Sequence, residues 1–119
     1  MNKLLKSAAG IVLFASVAAL FAVAGCSSTN SECVDVCNRA KECGTTNGVD
    51  CDQFCSDVTA TAADADCSDQ YTKYVDCQNG LTEICKLGQC TDEGSSVLAC
   101  VAPYCAKNQT DPGCKDVNL

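Results

Sequence analysis

Cysteine is the residue type that this chain holds in the number and spacing chemistry requires: thirteen thiols in 119 residues, with no histidine anywhere. Thiols can ligate a metal, exchange electrons, carry lipid or cross-link a chain. Zinc sites use thiolates in tight pairs, often with imidazole, so the lack of His and of any C-x-x-C spacing removes the usual ligand set. The missing C-x-x-C also argues against thioredoxin-like exchange. Cross-linking is left. An odd count leaves one thiol over, and Cys26 stands apart from the rest in VAGCSSTNSEC. Carboxylates are the other candidates. Asp64, Asp66 and Asp69 cluster, but without the D-x-D-x-D-G order and closing Glu of a calcium loop they read as a solvated helix start. Asp69 and Asp76 could in principle share acid–base work, yet without His no Ser–His pair or neutral-pH proton shuttle exists. The expectation is a protein that is not an enzyme and holds no metal or cofactor. Asn108-Gln109-Thr110 is sequon-like and reads as incidental.

The residues before Cys26 explain the odd thiol. Lys3 and Lys6 give a positive start, and Ala8 to Ala24 is an uninterrupted run of small and apolar residues. At 17 residues that run falls short of the roughly 20 needed to cross a bilayer, and no basic stop-transfer cluster follows it. Val23-Ala24-Gly25-Cys26 resembles the lipobox of bacterial lipoproteins. That resemblance implies cleavage before Cys26, a thioether-linked diacylglycerol on its sulfur and acylation of its amine. It also implies a location in the cell envelope. Ser27 rather than Asp follows the lipidated position, which by the sorting rule of enteric bacteria points to the outer membrane. The expected organisation is a signal peptide over 1–25, a lipidated N-terminus and polar tether over 26–31, and a cysteine-rich domain over 32–119.

Removing the first 25 of 119 residues leaves 94, enough for one small domain. Leu, Ile, Val and Phe make up only about 15% of that remainder, below the roughly 20% under which chains stay disordered unless otherwise constrained. Twelve cysteines supply the constraint, in a compartment where disulfides persist. So small a core also promises little volume for a substrate pocket. Without Lys3 and Lys6 the remainder carries 6 basic and 15 acidic residues, a formal net charge of −9. An acidic surface repels nucleic acid and anionic lipid, so no nucleic-acid partner is expected.

Periodicity predicts an all-α class, a small disulfide-rich bundle of about four short helices arranged as two helical hairpins. A first helix is expected over 30–43, after a capping box in Thr29-Asn30-Ser31-Glu32, with Cys33, Val36, Cys37 and Ala40 on one stripe and Gly44 closing it. A second opens at Asp50, with Gln53 as box partner, and carries Cys51, Phe54, Cys55, Val58 and Ala62. A third runs from Asp66 to Asn79, and a fourth follows Thr91 until Pro103 kinks or ends it. LTEICKLG is expected to add one further turn, and NQTDPGC reads as a turn pinned by Cys114.

Cysteine spacing divides the chain. CVDVC and CDQFC repeat a C-x3-C unit, similar to the plant α-hairpinins, whose two such units lie on antiparallel helices stapled by two bridges. Geometry leads to the same pairing: cysteines four apart sit about 6 Å apart along one helix face. A short link makes the helices antiparallel, which selects Cys33 with Cys55 and Cys37 with Cys51. Pairing Cys33 with Cys51 and Cys37 with Cys55 would require parallel helices. Cys67 to Cys77 and Cys90 to Cys100 each enclose nine residues, which resembles the twin C-x9-C hairpins of the mitochondrial intermembrane space. The same logic suggests Cys77 with Cys90 and Cys67 with Cys100, although Cys105 competes for Cys67. Cys43, Cys85, Cys105 and Cys114 then pair among themselves in an order spacing alone leaves open. The whole arrangement, with endings such as LACVAPYC, looks like the cysteine-rich lipoproteins of myxobacteria and related bacteria, a group with no activity to carry over.

Two functions remain in view. The first is a lipid-anchored binding or structural module of the envelope, in contact with the membrane through Cys26 and with an unidentified envelope or extracellular protein. Its loops Gly44 to Val49 and Gly80 to Gln89 would be held rigid for that contact. The second is a protease inhibitor or toxin-like effector of α-hairpinin type, for which Lys86 is the basic loop residue.

Overall fold

The computed structural model describes residues 18–44 and 48–116. Five helices follow one another: α1 (Ala18–Ala40), α2 (Cys51–Asp64), α3 (Ser68–Asn79), α4 (Thr91–Lys107) and α5 (Pro112–Asp116), with a 3-10 turn (Lys41–Cys43) closing α1. No strand occurs among the described residues, and the fold is an all-α, disulfide-rich bundle. None of the described helices is long and apolar enough to cross a membrane. Lys3, Lys6, the start of the apolar run, the side chain of Cys26 and part of the first expected contact loop lie outside the described residues.

The ends of these helices follow local chemistry. Gly44, at φ 75°, supplies the left-handed residue that ends the 3-10 turn, and its N–H donates to the Lys41 carbonyl at 3.1 Å. Asp50 caps α2 by accepting the Gln53 N–H at 3.1 Å, as the capping pattern predicts. The Gln53 side chain does not complete a reciprocal box; its Nε2 donates forward to Asp57 Oδ1 at 2.8 Å.

Four expectations are corrected. The stretch 27–31 lies inside α1 and is not an extended tether, and α1 begins well before Asn30. Thr29 is buried there, its hydroxyl 3.2 Å from that of Thr72 on α3, so tertiary packing continues the helix through residues suited to a cap. The third helix does not open at Asp66. That residue sits at φ 56° and ends α2 in a Schellman turn, with Cys67 N–H donating to Ala62 O at 2.7 Å and Asp66 N–H to Ala63 O at 3.1 Å. Pro103 does not end the fourth helix, which continues to Lys107. Pro103 and Ala99 are both exposed, so the carbonyl that proline leaves without an N–H partner faces water. Last, the tail read as a turn forms the short helix α5, while LTEICKLG forms hydrogen-bonded turns as expected, with Lys86 N–H on Glu83 O at 3.1 Å.

Two clusters make the core. One gathers the sulfurs of Cys33, Cys37, Cys51 and Cys55 with Val58, Ala62, Tyr71 and Val75. The other gathers Cys67, Val101, Cys105 and Cys114. Cystine stands where a larger domain would place Leu and Ile.

Candidate functional site

Six disulfides frame the molecule. Cys33 is bonded to Cys55 and Cys37 to Cys51, with α-carbons 5.8 and 5.7 Å apart across the antiparallel α1–α2 pair. Cys67 is bonded to Cys100 and Cys77 to Cys90, at 5.9 and 6.0 Å, across α3 and α4. The four cysteines that spacing leaves open pair as Cys43 with Cys85 and Cys105 with Cys114. α5 thus belongs covalently to α4, which removes Cys105 as a competitor for Cys67. Among the described residues, Cys43–Cys85 is the one bridge between the α1–α2 unit and the α3–α4–α5 unit.

Hydrogen bonds complete what the sulfurs begin. Arg39, at the end of α1, donates to three carbonyls at the C-terminus of α3: Leu81 at 2.8 Å, Asn79 at 3.1 Å and Gln78 at 3.4 Å. A cation there meets the negative end of the helix. Asp111 joins three helices, accepting from Thr61 Oγ1 on α2, from Tyr104 Oη on α4 at 3.1 Å and from the Gly113 N–H of α5 at 3.0 Å. These donors, the Thr61 hydroxyl foremost, hold its carboxyl below the usual carboxylate range. Gly113 makes the docking possible, because a Cβ there would overlap Thr61 Oγ1 and come within 2.8 Å of the Asp57 carbonyl.

An apolar cleft of about 370 Å³ opens between these stapled units. α4 packs along α3 and not closely along α1 or α2, which leaves a space between them. Val36 and Ala40 of α1 and Phe54 and Val58 of α2 form one wall. Val97, Leu98 and Val101 of α4 form the other, with Leu98 on the rim at 42% exposure. Tyr74 of α3 closes one side. Its ring lies on α4 because residue 94 is glycine: a Cβ at Gly94 would sit 3.2 Å from Tyr74 Cε2. Gln78 Nε2 donates to the Tyr74 hydroxyl at 2.6 Å, and burial pushes that hydroxyl's pKa up. Such a volume lies in the range of small-molecule pockets, so the expectation of little pocket space does not hold. Composition misjudged it because no disulfide among the described residues draws α4 onto α1 or α2, so a space stays open between them.

The remaining candidates are placed plainly. Asp64, Asp66 and Asp69 are exposed around the α2–α3 turn, and Asp76 is exposed on α3. Among the described residues the one group of possible metal ligands is Cys77, Cys90 and Glu93, and its two sulfurs are bonded to each other. Lys86 is exposed beside Leu87, which is 94% exposed, in a loop tied down at Cys85 and Cys90. Gln89 Nε2 closes that loop on the carbonyls of Glu83 at 2.8 Å and Lys86 at 3.0 Å.

Arg39 and Thr61 carry no sequence signature of their own, since their partners lie 39 to 52 positions away. Gly94 had one: a glycine inside a helical pattern marks a close approach. No family model, curated protein or solved structure matches the chain.

Proposed function

We propose that this chain is a lipid-anchored, disulfide-framed binding module of a bacterial cell envelope, and that the cleft between α4 and the α1–α2 hairpin is where it binds. The cleft carries the binding half of this reading: an apolar space with a part-buried tyrosine–amide pair is the usual composition of a ligand site. The anchoring half rests on the lipobox-like Val23-Ala24-Gly25-Cys26. After cleavage there, α1 would begin at Cys26 and lead from the lipid into the domain as a helix. Several acyl chains, each methylene worth about 0.8 kcal/mol on burial, make such an anchor effectively permanent. Nucleic acid has no role as a partner in this reading, and Ser27 after the lipidated position supports the outer membrane by the sorting rule of enteric bacteria. Metabolic labelling with a fatty acid tests the anchor: the wild-type chain takes up label, and Cys26→Ser abolishes it and leaves an unprocessed precursor. A labelled Cys26→Ser chain would contradict the proposal.

One observation favours a second reading, a protease inhibitor. Lys86 is presented on a loop constrained by two disulfides. Against it, the Lys86 carbonyl is already held by Gln89, in a turn instead of the extended strand a trypsin-like enzyme would grip. Inhibition of a trypsin-like protease by the oxidised protein, abolished by Lys86→Ala, would reverse the ranking.

A further inference from the structure

We infer that the cleft takes a small single-tailed amphiphile with a positively charged head, its tail between α4 and the α1–α2 hairpin and its head at Asp116. This rests on the reading of the cleft as the binding site and adds the class of ligand. The walls admit a tail: Val36, Phe54, Val58, Val97 and Val101 offer aliphatic and aromatic surface. Of the polar side chains that line the space, Tyr74 is engaged with Gln78 and Thr61 with Asp111, while the buried Tyr71 hydroxyl has no hydrogen-bond partner among the described residues. An anionic head would find no cation there. Among the described residues lining the cleft the only charged one is Asp116, exposed at the end of α5, and no Lys or Arg lines it. The surrounding charge has the same sign, with 15 acidic against 8 basic residues in the chain. Field and mouth therefore both favour a cation. A volume of about 370 Å³ suits one short tail and not a protein helix.

Three probes with one tail and different heads decide the matter: octylammonium, octanol and octanoate, titrated into the oxidised full-length chain at neutral pH. Nuclear magnetic resonance follows the Gly94 amide and the Tyr74 ring, which isolates the cleft from the apolar segment over 8–24. Octylammonium should bind most tightly and octanoate most weakly, with dissociation constants differing by roughly fivefold and converging at high salt. Asp116→Asn should bring octylammonium to the affinity of octanol. Leu98→Lys, which sets a cation on the rim, should reverse the order; Asp116 is exposed, so its variant decides the question even if the Leu98 variant folds poorly. Octanoate binding as tightly as octylammonium, or an Asp116→Asn chain that still prefers the amine, overturns the charged-head assignment and leaves the cleft a binding site. No shift at Gly94 or Tyr74 with any probe overturns both.

Discussion

The two hairpins of this molecule are stapled on different plans. In α1–α2 the bridged cysteines lie one turn apart, and all four are buried. In α3–α4 the cysteines on each arm of the hairpin are ten positions apart, about 15 Å along a helix, so the bridges hold the two ends of α3 and leave the stretch between them unbridged. Between them the helices must fit by shape, which is where Tyr74 lies against Gly94. Close staples replace a core. Distant staples leave side chains to make one, and also leave α4 free to stand away from α1 and α2. The cleft lies at that boundary, spanned covalently among the described residues by Cys43–Cys85 alone.

Removing the staples altogether should have the largest effect. Full reduction in native buffer should abolish most of the helical circular dichroism, since the apolar content cannot hold five short helices alone. Retained helicity would mean that the cystines only decorate a self-sufficient bundle. Next comes the joint between the hairpins. Replacing Cys43 and Cys85 by Ser opens a 42-residue separation and should cost about 4 kcal/mol in denaturant unfolding, against about 3 kcal/mol for Cys77–Cys90 with its separation of 13. Cys85 is also exposed whereas Cys55 is wholly buried, so limited reductant should open Cys43–Cys85 before Cys33–Cys55. The reverse order would break the distinction between boundary and core bridges.

Smaller changes sharpen the comparison within the second unit. Gly113→Ala forces α5 off α2 and should cost about 1–3 kcal/mol by thermal or denaturant unfolding. Asp111 gives a pH signature. Its folded pKa lies below the ordinary 3.8, so its carboxylate contributes stability above that range, and the contribution is lost as pH falls through the lowered value. Asp111→Asn should flatten that part of the acid limb of an unfolding profile and leave neutral-to-alkaline behaviour unchanged. Gly94→Ala should have the smallest effect, under about 1 kcal/mol, because a tyrosine ring can give by a few tenths of an ångström. Its resonance at Tyr74 should still move.

Legibility in the sequence follows the same division. Helical stripes and cysteine periods are local, so the all-α class and the start of α2 at Asp50 could be read directly. Helix ends set by tertiary contacts could not. Thr29 reads as a cap and is buried mid-helix against Thr72, and Pro103 reads as a kink or a stop and is carried by a helix whose far end Cys114 and Asp111 hold. The cleft was invisible for a related reason. Its lining comes from all five helices, and it exists because α4 is not stapled to α1 or α2, a property of bridge topology that no single stretch of residues states.

The division into two covalent units joined by a single bridge is tested most directly by non-reducing digestion with a protease that cuts before aspartate, followed by mass spectrometry. Cleavage before Asp35 and Asp52 separates Cys33 from Cys37 and Cys51 from Cys55, and further proteolysis after Lys41, Glu83, Lys86 and Tyr104 separates the cysteines that aspartate cleavage leaves on shared peptides, so each bridge reports alone. The expected linked peptides join Cys33 to Cys55, Cys37 to Cys51, Cys67 to Cys100, Cys77 to Cys90 and Cys105 to Cys114, with Cys43 to Cys85 as the sole crossing link. A peptide joining Cys33 to Cys51, or any second bridge from residues 33–55 into residues 67–114, would contradict it.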